Sequence, residues 1–114
     1  MSSKTSFDLN TLSHEKCLLV KENGKMEVLE FDKEKNRDFI YVSEFLKGNL
    51  NCDLFQTVPS RLSDIDIWID DTGKINNKSI MNNVASDLFD IKREMPHDEG
   101  LYGNVIFTKR GTIP

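Results

Sequence analysis

The sequence predicts an α+β domain: a two-layer sandwich in which two helices cover one face of a mainly antiparallel sheet, in the order β-β-α-β-β-α-β. Three observations carry this. Asn23-Gly24 sits between two short strand-like runs, a strong short-range signal for a β-hairpin. Residues 65–70, IDIWID, alternate with the period of two that belongs to a strand. Two further stretches, 38–47 and 80–91, repeat apolar residues every three or four positions, as an amphipathic helix does.

KCLLVK (16–21) reads as the first strand and MEVLEF (26–31) as its return. Asn23 and Gly24 both tolerate the positive φ of a type I′ turn between them. Asn36 is the expected cap of the first helix, with Asp38 in its first turn. Phe39, Val42 and Leu46 form its inward stripe, widened by Ile40 and Phe45. Lys47 suits the last turn, and Gly48 is the expected left-handed cap. NCDLFQTV (51–58) is the third strand, with Cys52, Leu54 and Val58 on one side. Pro59 ends it, having no N–H for a ladder.

In the fourth strand Ile65, Ile67 and Ile69 share the face expected to meet the helices. Asp66, Trp68 and Asp70 share the other, expected to stay partly wet. Asp71-Thr72-Gly73 makes the turn. Ser79 caps a second helix whose stripe is Ile80, Val84, Leu88 and Ile91, flanked by Met81, Ala85 and Phe89. Pro96 breaks it, 96–100 is a polar loop, and LYGNVIFTK (101–109) is the last strand. Residues 1–13, polar and rich in Ser and Thr, read as a flexible arm, which leaves 14–114 as a single domain.

A length of 114 residues fits one domain. The formal net charge of -4, with both signs interspersed, lacks the basic footprint of a nucleic-acid binder. No apolar run approaches the ~20 residues of a membrane span, and the first ten residues lack the apolar core of a secretory signal. A cytoplasmic protein with no nucleic-acid and no membrane partner is expected, with Cys17 and Cys52 as buried free thiols.

The acidic stretch at 64–74 invites two chemical readings. An EF-hand loop counted from Asp64 would need an oxygen donor, a glycine and a glutamate where this chain has Trp68, Ile69 and Ile75. Asp71-Thr72-Gly73 spells the triplet of aspartic proteases. Such sites follow an apolar strand and precede a small residue, whereas Asp70 and Lys74 flank the triplet here, and two helices fit that β fold badly. A solvated turn explains the stretch. His14 and His97 stand in no metal spacing with Cys17 or Cys52, and no glycine-rich phosphate loop is present. No catalytic residue, metal or cofactor is expected.

Binding candidates remain. Asn76, Asn77, Asn82 and Asn83 crowd the turn and the start of the second helix. Helix N-termini offer free N–H groups to anions, although capping and turn bonds are the more usual account of asparagines there. Trp68 on an open sheet face would supply an aromatic anchor.

The run from Tyr41 to Lys109 resembles a family of small phage and large-DNA-virus proteins, also found in bacteria, that has no assigned activity. The motifs that carry the likeness are Gly48 after a helix, then IWIDDTGK, then Asn82 with Ala85 and Leu88, then Gly103-Asn104-Val105-Ile106. The chain has Met81 where that family usually has proline before the asparagine, and Asp70-Asp71 where it often has Asp-Glu. The resemblance implies a compact α+β domain encoded by a virus or mobile element, and no reaction. Gly103 suits a bulge or a close backbone approach, and Asn104 a bond back to the turn.

The expected function is therefore a non-enzymatic binding protein, a viral or phage accessory factor acting on a host or viral protein. Its expected contacts are Trp68, Asp70, Asp71, Asn82, Asn83, Gly103 and Asn104. The alternative is a protein that binds or sequesters a nucleotide against host defence. Homo-oligomers would suit that reading, since such pockets often lie between subunits.

Overall fold

The structure, a computed structural model, describes residues 12–58, 65–70, 82, 85 and 103–113. Five strands, β1 (Lys16–Val20), β2 (Met26–Glu30), β3 (Phe55–Val58), β4 (Ile65–Asp70) and β5 (Val105–Lys109), form one sheet in the order β2-β1-β5-β4-β3. Every neighbouring pair is antiparallel. The last of these five strands in sequence thus lies at the centre, between two hairpins. Helix α1 (Phe39–Leu50) follows β2 after a short 3-10 turn, Lys33–Lys35.

The β1–β2 hairpin forms as expected, by a different turn. Gly24 donates its N–H to the Lys21 carbonyl, and Lys21 donates to the Lys25 carbonyl, both at 2.8 Å. Only Gly24 has a positive φ, at 93°. A type I turn followed by a left-handed glycine is the three-residue solution that suits strand twist, and it replaces the two-residue type I′ turn. The Asn23 side chain accepts from the Lys25 N–H at 3.0 Å, so asparagine serves as a local acceptor and keeps negative φ.

Both ends of α1 shift from their expected places. Asp38 caps it, accepting from the N–H groups of Ile40 and Tyr41, while Asn36 closes the preceding 3-10 turn. The helix runs through Gly48 and ends at Asn51, whose φ is 56°. Asparagine is the residue after glycine that most readily takes this left-handed cap. β3 begins at Phe55, so Cys52 and Leu54 precede the strand.

The larger correction concerns the layers. The isoleucine face is buried as expected: Ile65 and Ile67 pack with Leu18, Val20, Val105 and Phe107, and Ile69 lies against them. The opposite face is buried too. Val42, Leu46 and Leu50 of α1 cover Cys17, Leu19, Ile106 and Trp68 there. Ala85, the described helical residue of the second expected helix, packs on the isoleucine face. α1 and Ala85 therefore lie on opposite sides of the sheet, and the expectation of two helices on one face is overturned. Leu12 also packs on the isoleucine side, so the chain is anchored from residue 12; residues 1–11 lie outside the described set.

Candidate functional site

Trp68 was expected outside and is inside, only 8% exposed. A buried indole needs a partner for its N–H, and Nε1 donates to Thr108 Oγ1 at 2.9 Å. Thr108 stands on the same face of the neighbouring strand, one alternation from Ile106, the cross-strand partner of Trp68. The Phe55 ring meets the indole edge-on at 6.0 Å. The two acids that share this face lie at the ends of β4. Arg110 Nε donates to Asp66 Oδ1 at 3.2 Å, and its Nη2 donates to the Ile65 carbonyl at 3.1 Å. Asp70 is half-buried opposite Phe55.

The structure gathers several expected binding residues at one end of the sheet. Asn82 is fully buried. Its Nδ2 donates to the carbonyls of Val20 at 2.9 Å and Gly103 at 2.8 Å, and its Oδ1 accepts from the Ala85 N–H at 3.0 Å. The last is the bond of an N-cap to the third helical residue. One amide thus caps a helix start and ties it to the end of β1 and the approach to β5. Gly103 holds a φ of 72°, a left-handed position that spares glycine the strain other residues would bear.

Asn104 extends the same junction. Its Oδ1 accepts from the Glu22 N–H in the hairpin turn, and its Nδ2 donates to the Asn49 carbonyl near the end of α1, both at 3.1 Å. The turn it reaches is the β1–β2 hairpin turn, distant in sequence. The arrangement does structural chemistry: directional amides join four chain segments whose apolar packing alone would let them slide. Asp71 and Asn83, like the Ser79 cap, Asn76, Asn77 and the Asp71-Thr72-Gly73 turn, lie outside the described residues.

The two cysteines differ in cover: Cys17 is buried as expected, whereas Cys52, also expected to be buried, is only half-buried. Cys17 and Cys52 are free thiols. Burial pushes Cys17 up to about 12. Burial, with Asp70 and then Asp53 nearby, pushes Cys52 up to about 11. Both are therefore protonated at neutral pH, and a thiol attacks far more slowly than a thiolate. His14, three residues before Cys17, pairs its Nδ1 with Thr112 Oγ1 at 2.9 Å. Among the described residues no three His, Cys, Asp or Glu side chains converge as metal ligands.

The surface features that sequence reasoning missed are apolar. Phe39 is 78% exposed and Ile40 68% exposed, side by side on the first turn of α1. Both were expected in the inward stripe. Ile40 was legible: at 100° per residue it lies about 200° from Val42, on the opposite side of the helix. Phe39 shares the stripe of Leu46 and Leu50, and only the tertiary position of the first turn leaves it uncovered. The chain matches no protein-family model, no curated protein and no solved structure.

Proposed function

We propose that this chain is a non-enzymatic binding protein, an accessory factor of viral or phage type that acts on a host or viral protein, and that the first turn of α1 makes the contact. The observation that carries the reading is the adjacent pair Phe39 and Ile40, the two most exposed large apolar side chains among the described residues. Each gains about 1.5–3 kcal/mol when fully buried, and paired apolar anchors in a polar surround are what partner proteins desolvate. The viral or phage setting rests on the order of motifs from Gly48 to Ile106. The nucleotide alternative would draw polar contacts from Asn82, Gly103 and Asn104, and all three are bonded within the chain.

The test is capture of a partner by the immobilised chain beside a Phe39→Ser, Ile40→Ser double variant. These side chains contribute little to the core, so the variant keeps the thermal stability of the parent. A partner held by the parent and lost by the variant supports the reading. A partner held equally by both removes α1 from it.

A further inference from the structure

Among the described residues, no strand pairs with the outer edge of β2. The phase of the β1–β2 ladder follows from its two ends: Phe31 donates its N–H to the Glu15 carbonyl, and Lys21 donates to the Lys25 carbonyl. In an antiparallel pair, hydrogen-bonded residues alternate with residues whose N–H and C=O point away from the partner strand. The register Cys17↔Leu29 and Leu19↔Glu27 shares the phase of those ends. Met26, Val28 and Glu30 therefore turn their backbone groups outward, and β2 is the outermost of the described strands on that side. Val28 is 53% exposed at the middle of this row.

We propose that β2 pairs antiparallel with β2 of a second copy of this chain, centred on Val28, to give a continuous two-fold symmetric sheet. Centring on Val28 sets Val28 against its own copy and Met26 against Glu30 in both directions, so all three outward-facing residues find a hydrogen-bonded partner. A shift by two residues in either direction leaves one of them without a partner. The same register sets Glu27 against Leu29, so no acid lies directly across from an acid, the arrangement that destabilises a strand pair. Glu27 is also held by Lys21 Nζ at 2.7 Å within its own chain, which tempers the charge that would otherwise guard an edge.

Both apolar layers run outward to this strand and stop half-covered. Met26 packs at the rim of the isoleucine layer and Leu29 at the rim of the tryptophan layer. A second copy would continue both layers, which a single inserted peptide would do less fully. This contact is separate from the Phe39–Ile40 contact proposed above, and either can stand without the other.

Sedimentation of the whole chain over a range of concentrations, with amide hydrogen exchange read residue by residue, tests the pairing. Expected are a doubling of mass with concentration and slowed exchange at the amides of Met26, Val28 and Glu30. Val28→Lys alone and Val28→Glu alone are each expected to remain monomeric and folded, because this side chain is largely outside the monomer core. Mixing the two variants is expected to restore a dimer, since lysine then meets glutamate at the symmetry position. A parent that stays monomeric, including one that takes up only an extended peptide, overturns the proposal. So does a dimer that survives Val28→Lys, or a mixture of the two variants that stays monomeric.

Discussion

The two faces of the sheet are closed by different means. On the tryptophan face a twelve-residue helix lies across the strands, and rings do much of the filling. Phe31 meets Tyr41 at 5.4 Å and Phe45 at 5.0 Å, while Phe55 meets Trp68. On the isoleucine face the packing is aliphatic apart from Phe107, and position is set by the Asn82 amide, which holds Val20, Gly103 and Ala85 at once. Apolar burial is non-directional and decides that a face is covered. Hydrogen bonds are directional and decide where the cover sits. The contrast lies in which agent does the locating: on one side the length and caps of a helix, on the other a single side chain.

The strongest way to break the tryptophan face is Trp68→Ala. It removes the largest side chain of that layer and leaves Thr108 Oγ1 without its donor, and we expect a loss of about 3–5 kcal/mol in chemical denaturation. On the isoleucine face Asn82→Ala removes little volume and takes a hydrogen-bond partner from two buried carbonyls and one N–H. The expected loss is about 2–4 kcal/mol, with faster amide exchange at Ala85 while the amides of α1 keep their protection. If both substitutions loosened α1 equally, the two faces would not be separately located. The smallest effect sharpens the comparison from the other direction. A Cβ at Gly48 would meet nothing within 4 Å, in an exposed helical position of α1. Gly48→Ala is expected to stabilise the fold by about 0.5–1 kcal/mol, seen as a raised midpoint of thermal unfolding.

Much of the architecture was legible. The Asn23-Gly24 hairpin, the strand at 65–70 and the inward stripe of Val42 and Leu46 all follow from local periodicity and turn chemistry. The layers were misread at Trp68. The alternation IDIWID reads as a strand with one wet face, yet a tryptophan between acids is equally at home under a helix if its N–H finds a hydroxyl. The decisive signal lay elsewhere: CLLV in β1 and VIF in β5 are unbroken apolar runs, the mark of strands covered on both faces. A sheet whose central strands are two-sided needs covers on both sides, whatever β4 suggests.

Turn type and helix ends were missed for a different reason. Asn23 and Gly48 tolerate the conformations expected of them without requiring them, and neighbouring Gly24 and Asn51 took the positive φ instead. Of the expected binding residues, the grouping of Asn82, Gly103 and Asn104 could be suspected from their polar character near element ends. That their amides face inward was not, because an asparagine that caps a buried helix start has the same sequence context as one that greets a ligand.

The central place of β5 has a consequence for how the protein is made. Strands β1 with β2, and β3 with β4, can pair as local hairpins during synthesis, but a lone two-stranded hairpin is marginal in water. The two halves become one sheet only when residues 105–109, made last of the five described strands, slide in between them. Until those residues clear the ribosome, the inner edges of β1 and β4 stand open to whatever strand arrives first. The nascent chain is accordingly most prone to mispairing just before residues 105–109 appear.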